Sequence, residues 1–201
     1  MTLSTRMIVV LTTVGLISGS LLAFVNLLTR DKIEFNRQQE IEAAILEVVP
    51  GTDSSASLYE EENFTVYGGR DSGGDLIGYA VYTSGTGFQD VVSMMFGVNA
   101  DITKINSLTI LEQKETPGLG AKITDEQSFL RFWKGRSAGS PLILRKPAAA
   151  SPEDLSPSEI NTITGATISS QKVMGIVNLS LERLKRIKQE GKLTGEGHDA
   201  E

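Results

Sequence analysis

The chain has 201 residues, enough for one ordinary domain with additional segments, and its formal net charge of -6 argues against a nucleic-acid-binding surface. Because it contains no cysteine, thiolate-ligated iron–sulfur clusters, cysteine–zinc sites and disulfides are excluded. The single histidine, His198, argues against a Ser-His-Asp triad and against a histidine-rich metal site, so any redox chemistry requires an organic cofactor.

The segment at residues 7–28, MIVVLTTVGLISGSLLAFVNLL, carries no charged side chain. As a helix rising about 1.5 Å per residue, it is long enough to cross a hydrocarbon core of about 30 Å. A cleaved signal peptide would have a shorter apolar region followed by small residues, and the NLLTRDK that ends this segment offers no such site. We therefore predict an uncleaved transmembrane helix in membrane lipid, preceded by a flank at residues 1–6. Basic residues lie on both sides, so charge leaves its orientation open.

Residues 29–50 follow the span and carry apolar side chains mostly at helical spacing. Two interpretations fit this segment: a stalk that continues the membrane helix, or an ordinary first helix of the domain. A Pro-Gly pair and a polar loop end the helical pattern. The domain is therefore assigned to residues 51–191, and a polar tail to residues 192–201.

Four short runs between Asn63 and Ile110 are rich in β-branched or aromatic residues and bounded by Gly, Asn or Asp. They read FTVYGG, LIGYAVYTSG, DVVSMMFGVN and INSLTILEQ. Their alternation and hairpin-length connections favour antiparallel pairing over βαβ crossovers. We therefore predict a mostly antiparallel sheet over this region.

Helices and a surface loop are predicted for the remainder. Thr124 is placed to cap a short helix in TDEQSFLRFW, and RKPAAASPEDLSPSEI reads as a surface loop. The last long helix lies in ISSQKVMGIVNLSLERLKRIKQEG, with one apolar stripe and Gly191 as its C-cap. The predicted fold class is α+β: an N-terminal single transmembrane helix, followed by a domain whose mostly antiparallel sheet packs against helices.

The hydroxyl-rich segment TITGATISS, residues 162–170, lies where a β-like segment turns into this last helix. The first turn of a helix presents unpaired N–H groups and the positive end of the macrodipole, which together favour a phosphate. Gly165 and Ala166 leave the approach clear, and Thr167 places a hydroxyl there. The alternative is that Thr167, Ser169 or Ser170 serves only as the N-cap.

A second motif, ETPGLG, spans Glu115 to Gly120. Its glycines allow the backbone to come close to a flat ligand, and Leu119 offers the face of that ligand an apolar contact. Thr116 or a backbone N–H can bond to a polar edge of the ligand. The alternative is a tight loop that leads into the following helix.

Together with the uncharged N-terminal span, the two motifs resemble those of the G subunits of the Rnf electron-transport complex (RnfG or RsxG). The chain is similar also to NqrC, the equivalent subunit of the sodium-pumping NADH:quinone oxidoreductase. The resemblance covers nearly the whole chain, and residues 115–120 match the family signature letter for letter. In that family the last threonine of a [Ser/Thr]-Gly-Ala-Thr motif carries FMN through a phosphoester.

The resemblance therefore implies covalent FMN on Thr167. It implies further flavin-binding roles for two groups of residues: Thr164, Gly165 and Ala166 in one motif, and Glu115, Thr116, Leu119 and Gly120 in the other. One position departs from the family pattern, since Asn161 stands where the flavinylation motif usually has Asp. Asparagine keeps the hydrogen bonding and loses the charge, which implies less efficient modification.

The implied activity is electron relay within the Rnf ferredoxin:NAD⁺ oxidoreductase, coupled to Na⁺ or H⁺ translocation. The chain would be an electron-transfer subunit of a translocase without a complete active site of its own. Its implied partners are the other Rnf subunits (A, B, C, D and E) and an ApbE-type flavin transferase, which uses FAD and Mg²⁺. The domain would lie on the periplasmic side of the inner membrane.

Two alternatives remain open at this point. One is an NqrC-type subunit, whose extracytoplasmic part is usually longer. The other is a membrane-anchored binding module without a cofactor.

Overall fold

The computed structural model describes residues 2–193, so most of the polar tail, including His198, lies outside the described residues. The chain divides into two compact units between Glu42 and Ala43. Helix α1 (Leu3–Val48) provides nearly all of the described part of the first unit, and its side chains there are exposed apart from the half-buried Ile41. Over its apolar part α1 is long enough to cross a membrane, as the sequence predicts.

The last turn of α1 belongs to the second unit and is part of its core. Ala44, Ile45 and Val48 are buried there. A Cβ atom added to Gly97, in the middle of the sheet, would lie 1.8 Å from the carbonyl oxygen of Val48. Only glycine at this position lets the helix end lie directly on the sheet. Residues 29–50 can be interpreted either as a stalk or as the first helix of the domain. The last turn of α1 fits the second interpretation, because it packs in the core of the domain.

The sheet has five strands in the order β1-β2-β3-β4-β5, and every neighbouring pair is antiparallel. The strands are β1 (Ser54–Glu61), β2 (Phe64–Arg70), β3 (Leu76–Thr86), β4 (Val91–Asn99) and β5 (Ile105–Glu112). The four predicted strands correspond to β2–β5, and their antiparallel pairing is confirmed. The edge strand β1 is additional, in a segment where the sequence indicated a polar loop.

The C-terminal half supplies a long helix, α2 (Thr167–Gln189), and a short parallel pair, β6 (Ile143–Arg145) with β7 (Glu159–Asn161). Three 3-10 turns at Gly120–Thr124, Leu130–Phe132 and Pro152–Asp154 connect these elements. The apolar stripe of α2 is buried in the same core as the sheet. At one point the contact is polar, because the Ser180 hydroxyl donates to Thr83 Oγ1 at 2.9 Å. The predicted α+β arrangement is thus confirmed.

The short helix predicted to begin at Thr124 is wrong. Thr124 ends a 3-10 turn, and its hydroxyl donates backwards to the carbonyl of Ala121 at 2.9 Å. Asp125 starts the next turn instead, accepting the N–H of Ser128 at 2.7 Å. A carboxylate here outcompetes the neighbouring hydroxyl as acceptor for free N–H groups. The sequence also predicts that Phe129, Leu130 and Trp133 are buried. Phe129 and Trp133 are buried, whereas Leu130 is only partly buried.

Gly191 ends α2 as predicted. Its φ is 69°, its N–H bonds to Lys188, and the next N–H, from Lys192, bonds to the carbonyl of Ile187. This pair of bonds is the Schellman motif.

The loop before β7 is held from inside by Arg136. Its guanidinium is buried and donates to the carbonyls of Phe132, Pro152, Leu155 and Ser156 at 2.7–3.2 Å. Burial lowers the pKa of Arg136 from its ordinary value. These bonds therefore hold in place the end of the loop that leads into β7 and the hydroxyl-rich segment.

Candidate functional site

The hydroxyl-rich segment makes a tight turn between β7 and α2. Gly165 has φ 85°, a conformation that favours glycine, and the N–H of Ala166 bonds to the carbonyl of Ile163 at 2.9 Å. Ala166 is the N-cap of α2 and no side chain caps the helix. The N-cap interpretation of Thr167 is therefore wrong, because Thr167 is the first residue inside the helix.

The hydroxyls of this segment differ sharply in their access to solvent. Ser170 is buried; its hydroxyl donates to Ala166 at 3.0 Å and accepts the N–H of Ile163 at 3.1 Å. Ser169 and Thr162 are buried as well. Thr164 is exposed and Thr167 half-buried, and neither hydroxyl bonds to any residue that the structure describes. Within residues 162–170, all of them described, only these two hydroxyls are free and accessible.

The carboxylate of Glu115 joins three parts of the domain. One oxygen accepts the N–H groups of Phe88 and Gln89 at 2.6 and 3.3 Å, in the turn between β3 and β4. The other accepts the hydroxyl of Ser169, in the first turn of α2, at 2.9 Å. Glu115 is only 4% exposed. Its role is therefore to hold the ETPGLG loop, the β3–β4 turn and the start of α2 together, since both oxygens are used internally.

Leu119 completes the contact between the two motifs. It is 49% exposed, and a Cβ atom added to Gly165 would lie 3.4 Å from its Cδ2 atom. The carbonyl of Thr116 accepts the N–H of Leu119 at 3.1 Å, which closes the loop. Gly120 packs so tightly that an added Cβ would lie 2.5 Å from Glu115 Oε2. Two motifs that are far apart in the chain thus form one site.

Asn161 uses both atoms of its side-chain amide to bond to the backbone of Ala149. Its Oδ1 accepts the N–H of Ala149 at 2.8 Å, and its Nδ2 donates to the carbonyl of Ala149 at 3.4 Å. A carboxylate could make the first of these bonds but not the second. The amide therefore fastens the preceding loop to the end of β7, at a position that is 3% exposed.

A cleft of about 630 Å³ runs along α2 from this site and was not predicted from the sequence. Ile168 and Gln171 line it near Thr167, and Leu179, 70% exposed, lies further along. Arg183 lies beyond them, 4.4 Å above the Phe64 ring and ion-paired with Glu61. The sequence signal that could have predicted this cleft is the presence of two apolar residues, Ile168 and Leu179, on the exposed face of an amphipathic helix.

Comparison with known proteins identifies the class of this domain. The family model described as FMN-binding domain matches residues 87–182, which contain both motifs and most of α2. The fold is similar to that of the solved C subunit of the Na(+)-translocating NADH-quinone reductase from Parabacteroides distasonis, with a TM-score of 0.52 and 19% identity over 71% of this chain and 77% of that chain. The domain is an FMN-binding domain, and a helix able to cross a membrane precedes it in the chain.

Sequence relatives specify the family. The chain is 33% identical over 189 residues to the G subunit of the Na(+)-translocating ferredoxin:NAD(+) oxidoreductase complex of Acetobacterium woodii, covering 86% of this chain and 87% of the relative. It is 25% identical over 185 residues to the G subunit of the ion-translocating oxidoreductase complex of Methanosarcina acetivorans, covering 89% and 93%. The chain belongs to this family, the Rnf-type G subunits of ion-translocating oxidoreductase complexes. It is therefore an electron-transfer flavoprotein component of a multi-subunit complex.

Proposed function

We propose that Thr167 carries FMN through a phosphoester. The observation that supports this most is the difference in access among the hydroxyls, since only Thr164 and Thr167 in the described segment 162–170 are free to react. Of the two, Thr167 lies within the first turn of α2, whose unpaired N–H groups and dipole stabilise a phosphate's negative charge. Thr164 lies outside the helix and lacks this stabilisation.

Attachment requires an external enzyme, for which we propose an ApbE-type flavin transferase. The oxygen of Thr167 attacks the FMN phosphorus of FAD, the bond from that phosphorus to the AMP oxygen breaks, and the hydroxyl proton is released. The chain supplies only the acceptor: in the described part, no His, Asp, Glu or Lys side chain bonds to Thr167. Asn161 is tied to Ala149, so we expect it to shape the turn that is presented to the transferase.

We propose that the isoalloxazine ring lies against Leu119. This side chain is half-exposed beside Gly165, within reach of a flavin fixed at Thr167. The long cleft beside α2 gives a matched control, because Leu179 is an exposed leucine inside it. Leu119→Asp should change the flavin fluorescence or potential while Leu179→Asp should not. A response to Leu179→Asp alone would place the ring in the cleft.

The bound flavin would supply the redox chemistry, and the protein its position and electrostatic environment. We propose that the chain relays electrons inside an Rnf complex that couples ferredoxin and NAD⁺ redox chemistry to Na⁺ or H⁺ movement. The name of the Acetobacterium woodii relative supports this substrate pair and Na⁺. Its partners would be subunits A, B, C, D and E. The sites for NAD⁺ and for an iron–sulfur cluster would lie in those subunits, because this chain has neither a cysteine cluster nor a Rossmann fingerprint of its own.

We propose that the apolar part of α1 spans the inner membrane and that the domain lies on its periplasmic side. A covalent tether suits that location, since a dissociated flavin could not be replaced there from the cytoplasm. Protease added to spheroplasts should digest the domain while a cytoplasmic marker protein survives. Protection of the domain in intact spheroplasts, followed by digestion after lysis, would place it in the cytoplasm instead.

The decisive test of covalent FMN is fluorescence after denaturation. The full chain should be produced with and without an active flavin transferase and separated on a denaturing gel. A fluorescent band that requires the transferase is the expected result. A cofactor-free binding module would give no flavin under either condition, and a non-covalent flavoprotein would lose it in the gel.

A further inference from the structure

A second cavity, of about 240 Å³, lies beside the attachment turn. It will be called the side pocket. Its polar lining includes Lys122, Ser128, Arg131, Thr162 and Thr164. Thr164 lies three residues before Thr167 and so brings the side pocket close to the attachment turn. The pocket belongs to neither the Leu119 surface nor the cleft along α2.

Two buried polar atoms of the side-pocket residues lack a partner. Thr162 is 5% exposed, and its Oγ1 bonds to no described residue. The same is true of Arg131 Nε, although the other guanidinium nitrogens donate to Gln127 and Ala150 at 3.4 and 3.1 Å. Leaving such groups unpaired is costly, so two of them at one cavity indicate an occupant that accepts hydrogen bonds.

The charge of the side pocket indicates what kind of occupant this is. Lys122 and Arg131 are cationic, and no carboxylate lines the cavity. Asp125, three residues after Lys122, is not part of this lining, and its carboxylate accepts the N–H and hydroxyl of Ser128 at 2.7 and 2.6 Å. The Arg131 guanidinium lies 4.9 Å above the Phe132 ring, which restrains its plane.

We propose that the side pocket binds a phosphate-type oxyanion, held by Arg131, Lys122 and the hydroxyl of Thr162. An oxyanion accepts hydrogen bonds from both unpaired groups and neutralises the local positive charge. Two sources have this chemistry: the phosphoester proposed for Thr167, or the phosphate of a separate molecule. The site itself rests only on the side pocket and stands without a flavin.

Binding can be measured by equilibrium dialysis of radiolabelled inorganic phosphate against the detergent-solubilised full chain, produced without a flavin transferase. We expect saturable binding at about one phosphate per chain. Arg131→Gln should weaken it at least about tenfold, and Thr162→Val about threefold to tenfold. Arg70→Gln, the same change at an arginine outside the pocket, should leave the affinity unchanged.

The flavinylated chain distinguishes the two sources. Loss of phosphate binding after flavinylation assigns the side pocket to the phosphoester; retained binding assigns it to a separate phosphate-bearing molecule. The proposal is overturned if the unmodified chain shows no saturable binding, or if Thr162→Val and Arg131→Gln bind as the unchanged protein does. Thr162→Val keeps the side-chain volume and removes an unpaired hydroxyl, so it should fold even if Arg131→Gln does not. Because the dialysis uses flavin-free protein, its result is independent of the attachment at Thr167.

Discussion

Replacing Thr167 by valine removes the hydroxyl and keeps the side-chain volume. Because Ala166 is the N-cap and the Thr167 hydroxyl makes no bond within the described residues, the free energy of unfolding should change by less than about 0.5 kcal/mol. Loss of a true N-cap would cost about 1 kcal/mol. For a chain of this length the expected change in Tm is therefore below about 2 °C. Covalent flavin, in contrast, should disappear completely.

The assay is mass spectrometry of the tryptic peptide that contains residues 162–172, prepared from cells with an active transferase. The unchanged chain should show the mass of FMN less one water, localised to Thr167. Thr167→Ser should keep part of this adduct, and in Thr164→Val, which removes the other accessible hydroxyl, any adduct should still be localised to Thr167. An adduct on Thr164, or covalent flavin in Thr167→Val, would refute the assignment.

Three further predictions follow from the packing. Glu115→Gln should lower the free energy of unfolding by about 1–3 kcal/mol in urea titrations, because a charged acceptor is lost at three hydrogen bonds, while Ser169→Ala removes one bond and should cost less. Gly97→Ala should cost more than about 3 kcal/mol or prevent folding, whereas Gly175→Ala, with open space around its Cβ in α2, should be neutral or stabilise by up to about 1 kcal/mol. Leu119→Asp should shift the flavin midpoint potential in redox titration and leave the flavin on the peptide; an unchanged potential would place the ring elsewhere.

The sequence predicted those parts of the fold that have strong local patterns. Strands β2–β5 combine β-branched or aromatic residues with clear turn signals, and α2 combines an apolar stripe with a glycine at its end. Strand β1 was missed because its side chains are mostly exposed and polar, so it has no apolar alternation to detect. The three-residue strands β6 and β7 are too short for any periodic signal.

The site was predictable as two motifs but not as one assembly. Resemblance to a family singled out Thr167 and Leu119, whose residue types also suit the proposed chemistry. The bond between Glu115 and Ser169 joins residues 54 positions apart, and no local pattern specifies such a pairing. Access of each hydroxyl is likewise a tertiary property, so residue types and local patterns, without the resemblance, could not separate Thr167 from its serine neighbours.

The burial of the last turn of α1 decides where the chain can be cut to obtain a water-soluble fragment. A fragment that begins at Ala43 removes the whole apolar span and keeps the turn that covers Gly97. A fragment that begins at residue 51 lacks this turn. The sheet surface around Gly97 would then be exposed to solvent, together with the apolar surface that Ile45 and Val48 cover. Such a fragment would expose a flat apolar face and tend to aggregate. Expression of the isolated domain for potentiometry or crystallisation should therefore start after the apolar span and no later than Ala43.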